Sequence, residues 1–263
     1  MPRGAFVGRT ALGACLRYTI KGMNIHAMRA VCVGGHMRVL AIIPAYNEEV
    51  CLAGTVSGLV RTCPDIDYLV VNDGSRDNTD AICVEGGFPH VTLPINTGLA
   101  SGFQTGMKYA LRHGYDAAVQ FDADGQHLPE TLPVMIEAME RERADIVIGS
   151  RALAGESEPE GLRGVGSRFI AGIMRLTTGT RITDPTSGLR LYSLRAIEVF
   201  AKAFDLAPEP DAVALLARKG YKVVEVHARM QERQGGVSYL NAGNAIRYMA
   251  RTSVSILLFQ WFR

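Results

Sequence analysis

The stretch Ala117 to His127, AAVQFDADGQH, decides how this chain is read. An apolar run, Ala117 to Phe121, stops abruptly at Asp122-Ala123-Asp124-Gly125-Gln126. The pattern predicts a buried strand running into a turn that bears two carboxylates. Two acids one residue apart make a poor core, but in a turn both can face one hard cation. Mg²⁺ or Mn²⁺ takes oxygen ligands and keeps waters or substrate phosphates in its other positions. A metal there would clamp a diphosphate and absorb the charge developing on it as a leaving group. The bland reading of Asp122 and Asp124 is an Asx-type turn closing a strand. The flanking segments decide between the two.

From Arg38 onward, short apolar runs alternate with amphipathic ones. Strands are predicted at VLAII (39–43), YLVVN (68–72), HVTLP (90–94), AAVQF (117–121) and DIVIG (145–149). Helices are predicted at 48–61, 77–84, 99–113 and 129–141, the last with Pro129 suited to its first position. This alternation implies an α/β fold, a mostly parallel sheet covered by helices on both faces. In such sheets ligands bind beyond the carboxyl ends of the strands.

Polar residues do cluster there. Pro44-Ala45-Tyr46-Asn47-Glu48 follows the first strand and Asp73-Gly74-Ser75 the second. Asn96-Thr97-Gly98 follows the third, the Asp122/Asp124 turn the fourth and Ser150-Arg151 the fifth. Each alone has an ordinary structural reading as a helix cap or turn. Five in register on one edge define a binding face.

The second half is less regular. Residues 152–166 read as a mobile loop, and 169–178 as a helix. Asp184-Pro185-Thr186-Ser187-Gly188-Leu189-Arg190 turns into a strand, LRLYS. Helices follow at 194–203 and 211–219, then a strand at 221–226. Residues 229–239 form a polar loop, and one amphipathic helix runs from Asn241 to the end.

The chain has 263 residues, 48% hydrophobic and 21% charged, which suits one large domain with appendages. Residues 1–36 hold Arg3, Arg9, Arg17, Lys21 and Arg29 and no acid. Without those five the body carries 23 basic against 26 acidic residues, which excludes a nucleic-acid footprint. Three readings of 1–36 stand: a disordered basic arm near anionic lipid, a targeting segment, or an over-extended reading frame with the start at Met37. The last is preferred because Met37 directly precedes the first clear strand. The five cysteines lack metal-ligand spacing and read as free thiols of a reducing compartment. No apolar run reaches the ~18–20 residues of a membrane span.

The motifs PAYNE (44–48), NDGS (72–75), NTG (96–98), DAD (122–124) and GSR (149–151) resemble, in order and spacing, the family-2 glycosyltransferases of GT-A fold. The branch they look most like is that of dolichyl-phosphate mannose synthase and its bacterial polyprenyl-phosphate relatives. Asp184-x-Thr186-Ser187-Gly188-x-Arg190 and Glu232-Arg233-x-x-Gly236-x-Ser238 add to the likeness. It spans about 38–240, so 37–240 is expected to be the transferase domain and 241–263 an appended helix. The resemblance implies a donor site in which Pro44, Tyr46 and Glu48 hold the base and ribose of a UDP- or GDP-linked sugar. Asp73 would contact the base edge, and Asn96 and Gly98 would sit beside the nucleoside. Asp122 and Asp124, with Gln126, would hold Mg²⁺ or Mn²⁺ on the diphosphate. Arg151 would reach phosphate oxygens, and Arg190 and Arg233 would complete a cationic wall, a task suited to the planar guanidinium fork.

The activity implied is inverting transfer to an acceptor, most naturally a polyprenyl phosphate of cell-envelope glycan synthesis. A phosphate acceptor is nucleophilic at neutral pH, whereas a sugar hydroxyl needs a base. Asp211 is the candidate base, with Glu209 beside it and helix capping as its plain alternative. The rival functions are a polysaccharide glycosyltransferase acting on a hydroxyl and a non-catalytic nucleotide-sugar-binding scaffold. Two departures bear on the acceptor: Tyr239 stands where such synthases often carry a lysine, and one amphipathic stretch stands where some of them carry C-terminal transmembrane helices. The last helix sets Leu257, Leu258, Phe259, Trp261 and Phe262 beside Arg247, Arg251 and Arg263. That composition fits a membrane surface, a membrane subunit or a homodimer face. The location expected is peripheral, at the cytoplasmic face of a membrane.

Overall fold

In a computed structural model, residues 37–154, 161–203, 206–231 and 242–258 are described. Seven strands form one sheet: β1 (Val39–Ala45), β2 (Asp67–Asn72), β3 (His90–Thr92), β4 (Ala117–Gln120), β5 (Ile146–Ser150), β6 (Arg190–Ser193) and β7 (Val223–His227). Their order is β3-β2-β1-β4-β6-β5-β7. Six run parallel; β6 alone is antiparallel, wedged between β4 and β5. The helices are α1 (Leu52–Thr62), α2 (Thr79–Glu85), α3 (Leu99–His113), α4 (Thr131–Glu142), α5 (Gly161–Thr178), α6 (Leu194–Lys202), α7 (Pro210–Arg218) and α8 (Ala242–Leu257).

The sheet is buried on both sides, as its uninterrupted apolar strands require. One side packs Leu40, Ile42, Val71, Ile148 and Tyr192 under Phe103, Ile170 and Phe200. The other packs Ala41, Ile43, Val70, Val119 and Leu191 under Leu52, Leu59, Leu132 and Met135. Cys51, Cys63 and Cys83 are buried free thiols, and burial, helped by Asp80, pushes Cys83 up to about 11.

Two expectations change. Residues 161–166 are not loop but the first turns of α5. The inward positions there are Gly164 and Gly166, followed by Ser167, too small to register as an apolar stripe. A Cβ on Gly166 would collide with the Met249 sulfur, so glycine lets α5 and α8 approach closely. The third strand is also shorter than HVTLP, ending at Thr92.

Candidate functional site

The loops leaving β1, β2, β3 and β4 enclose a cleft of about 440 Å³. Pro44, Tyr46, Glu48, Asp73, Asn96, Gly98, Asp122 and Asp124 all line it. The parallel strands bring together residues nearly eighty positions apart in sequence.

The first two loops are laced to each other. Asn47 takes a left-handed conformation (φ 56°), and its Oδ1 accepts the Arg76 N–H at 2.9 Å. The N–H groups of Asn47 and Glu48 donate to Ser75 Oγ (3.0 Å) and Thr79 Oγ1 (2.9 Å). Asp73 latches the third loop. Its Oδ1 accepts from Thr97 N (2.9 Å) and Oγ1 (2.8 Å), and its Oδ2 from Gly98 N (2.7 Å). Gly98 sits at φ 89°, ψ 163°, a region open only to glycine, where α3 begins. Three internal hydrogen bonds make Asp73 a holder of the cleft wall, beyond the base contact expected of it.

Asp122 and Asp124 occupy the turn after β4. Asp124 is 4% exposed, and its Oδ1 accepts the Gln126 N–H at 3.0 Å. Asp122 Oδ1 accepts Gln120 Nε2–H at 2.9 Å. His127, unassigned in the sequence, supports Asp122 from behind. Its Nδ1 accepts the Asp122 backbone N–H at 3.1 Å, and its Nε2 lies 3.7 Å from Asp122 Oδ2. The same Oδ2 faces Gly188, where a Cβ would stand 3.0 Å away. Among the described residues no group of three His, Cys, Asp or Glu gathers in metal-binding proximity. The turn thus offers a pair of hard oxygen donors, with the remaining positions left to phosphate and water, a set that fits Mg²⁺ or Mn²⁺. Gln126 holds the turn through its backbone, its C=O accepting the Gln231 N–H at 3.0 Å.

The arginines are placed differently from expectation. Arg151 does not line the cleft. Its Nε and NH2 fork onto Asp184 at 2.6 and 2.8 Å, and NH2 also reaches Thr186 Oγ1 at 3.1 Å. Burial pushes Asp184 up, but the hydrogen bonds and charge of Arg151 outweigh it and hold the carboxyl below its ordinary range. Glu225 fixes the same turn by accepting the N–H groups of Thr183 and Asp184 at 2.8 and 2.9 Å. Arg190 is 2% exposed and donates to the carbonyls of Pro208 (2.9 Å) and Pro185 (2.7 Å). Its guanidinium braces two loops. Arg233 lies outside the described residues.

Beside Asp122, Gln120 Oε1, Arg190 Nε and Tyr192 OH are buried without a hydrogen-bond partner among the described residues. Gln120 and Arg190 are opposite one another in the β4/β6 register. Buried polar atoms left open together are met by an ordered water or a ligand. Asp211, at the start of α7, accepts from Ala212 N (2.9 Å) and Ser255 Oγ (2.6 Å). Burial, then the Asp211 charge, push Glu209 above the usual glutamate range against the pull of Arg251 and Arg190.

A parallel sheet with loops closing on an Asp-x-Asp turn is the architecture of GT-A glycosyltransferases. Residues 40–200 match Glycosyl transferase family 2, and the chain belongs to that family. It is 36% identical over 222 residues to the undecaprenyl-phosphate mannosyltransferase of Micrococcus luteus, covering 79% of this chain and 89% of that protein. It is 34% identical over 219 residues to the polyprenol monophosphomannose synthase of Mycolicibacterium smegmatis, covering 79% and 82%. Among solved structures it resembles glucosyl-3-phosphoglycerate synthase of Mycobacterium tuberculosis with phosphoglyceric acid bound. That TM-score is 0.63 at 18% identity, covering 90% of this chain and 85% of the other. At that identity the likeness speaks for the fold alone.

Proposed function

We propose that this chain transfers one sugar, with inversion, from a nucleoside-diphosphate sugar to a polyprenyl phosphate in envelope glycan synthesis. The observation that carries the proposal is the convergence of Pro44, Tyr46, Glu48, Asp73, Asn96, Gly98, Asp122 and Asp124 on one cleft. The names of the relatives, both transferases to polyprenyl phosphates, support the acceptor.

In this reading Tyr46, Glu48 and Asn96 hold the nucleoside, and Asp73 keeps the wall in place through Thr97 and Gly98. Asp122 and Asp124 hold a divalent cation, whose chemistry is to neutralise the departing diphosphate. His127 and Gln120 fix Asp122, and Gly188 leaves room beside it. Positioning and fixed electrostatics supply the rate. A phosphate acceptor arrives ionised and needs no protein base. The engagement of Asp211 with Ala212 and Ser255 favours a structural task for it.

The test offers the full chain UDP- and GDP-sugars with Mg²⁺ or Mn²⁺, with and without a short polyprenyl phosphate, beside Asp124→Asn. Expected is lipid-dependent transfer that disappears with chelator and in Asp124→Asn. Transfer to a sugar hydroxyl, abolished by Asp211→Asn, would move the protein to the polysaccharide class. Donor binding with no transfer to either acceptor would leave the non-catalytic scaffold.

A further inference from the structure

Helix α5 carries large apolar side chains on its outward face as well as on its inward one. The exposed positions are Val165, Arg168, Phe169, Gly172, Arg175, Leu176 and Gly179, at helical spacing. Val165 is 57% exposed, Phe169 59% and Leu176 83%. The inward face is already occupied by Ile170, Ile173 and Met174 in the core. Among the described residues the outer apolar side chains are thus left largely uncovered.

Within the helix itself the charge has one sign. From Gly161 to Thr183 the sequence holds Arg163, Arg168, Arg175 and Arg181 and no acid; the acidic run before the helix ends at Glu160. Helix α8, packed on α5 at Gly166, continues the pattern. It exposes Arg247, Arg251, Val254, Leu257 and Leu258 and has no acid from Ala242 to Leu257.

We infer that the outer face of α5 is a membrane-seating surface that lays Val165, Phe169 and Leu176 into the interface of an anionic lipid leaflet. Apolar side chains interleaved with arginines suit that boundary, where the rings and methyls enter the acyl edge and the guanidinium groups meet phosphate. A second copy of this chain is a poor occupant, because a two-fold contact would set the same all-basic face against itself. Among the described residues no helix is long and apolar enough to cross a membrane, so contact of these residues with lipid is lateral. The sequence alone pointed to the last helix for this role, but its Phe259, Trp261, Phe262 and Arg263 lie outside the described residues; among the described residues the more exposed apolar side chains are on α5. The α5 face is joined to the acceptor-side turn, since Ser167 Oγ lies 3.3 Å from Thr186 Oγ1, which Arg151 also holds. The inference rests on the proposed lipid-phosphate acceptor, for which seating of the enzyme on the leaflet has a purpose.

The experiment co-sediments the full chain with vesicles of phosphatidylcholine alone and of phosphatidylcholine mixed with phosphatidylglycerol, both lacking acceptor. Wild type, Phe169→Ser/Leu176→Ser and Arg175→Glu are compared, with circular dichroism confirming that each is folded. Expected is binding to the anionic vesicles only, weakened about tenfold in each variant. Transfer to a short soluble polyprenyl phosphate is expected to be unchanged in all three. Equal vesicle binding by wild type and variants, or no binding by wild type, overturns the surface. So does a variant that splits a wild-type dimer while still binding lipid. Loss of transfer to the soluble acceptor in wild type itself would sink the proposed reaction, and is read separately from the vesicle result.

Discussion

His127 accepts the backbone N–H of Asp122 on Nδ1 at 3.1 Å and sets Nε2 3.7 Å from the same residue's Oδ2. An acceptor nitrogen carries no proton, so in the neutral ring the N–H is on Nε2, facing the carboxylate. The imidazole thus holds the peptide of a candidate metal ligand and stands beside its carboxylate. Groups standing behind ligands in this way are typically worth about 10–100-fold in affinity or activity. His127→Ala is expected to lower kcat by about that factor. Calorimetry should show weaker Mn²⁺-dependent donor binding with the nucleoside contacts intact. Unchanged kcat and Mn²⁺ affinity would remove His127 from the site.

Gly188 tests the same carboxylate. A Cβ there would meet Asp122 Oδ2 at 3.0 Å, tighter than an ordinary contact. The Asp122 side chain must then turn or the loop must shift. Gly188→Ala is expected to leave the melting temperature within a few degrees while weakening Mn²⁺ about tenfold, the scale of a disturbed ligand. Full activity would show that Asp122 has room to move.

Arg151 and Asp184 make a prediction about pH. Asp184 is 1% exposed in its side chain and is paired bidentately with Arg151. Its pKa is depressed in the folded protein, so it stabilises the fold above the ordinary aspartate range, and that contribution is lost as pH falls through the folded value. Arg151→Met leaves a buried carboxylate without its partner, at a cost of about 3–5 kcal/mol near neutrality. In the variant Asp184 can shed the penalty by protonating. The gap between wild type and variant in urea midpoints should therefore be widest near pH 7 and shrink toward pH 4. A constant gap would mean that the lost stability was packing, not charge.

The edge that carries the cleft was legible because each of the strands β1 to β5 ends where the chain changes from apolar to polar. PAYNE, NDGS, NTG and DAD could be aligned without knowing which strands were neighbours, since parallel strands put all their carboxyl ends on one side. The direction of β6 was not legible: RLYS has the same composition whichever way it runs, and its partners, Gln120 and Ile148, are distant in sequence. The partners of Arg151 and Arg190 were hidden for a related reason. The charge of the two arginines is visible in sequence, but the Pro185 and Pro208 carbonyls that take Arg190, and the Asp184 that takes Arg151, are facts of tertiary packing. His127 was in view within the deciding stretch, and only the folded turn shows it reaching back to Asp122.

The last prediction separates a structural Asp211 from a catalytic one. Its carboxylate accepts from Ala212 N and from Ser255 Oγ, tying the start of α7 to α8. It also repels Glu209, which burial already drives upward. A glutamate with a raised folded pKa stabilises the fold at low pH, and that stability is lost as pH rises through the raised value. Asp211→Asn removes the repulsion, so Glu209 moves back toward its ordinary range. The loss of stability as pH rises from the ordinary glutamate range should shrink, on top of a pH-independent decrease of about 1 kcal/mol from the weakened hydrogen bonds. With a phosphate acceptor, kcat should stay within about threefold of wild type, because an ionised phosphate supplies its own nucleophile. Urea midpoints at pH 5 and pH 8, set beside transfer rates, read both effects at once. A kcat reduced by the ~10²–10⁴-fold typical of a lost general base, with stability unchanged, would make Asp211 the base and a hydroxyl the acceptor.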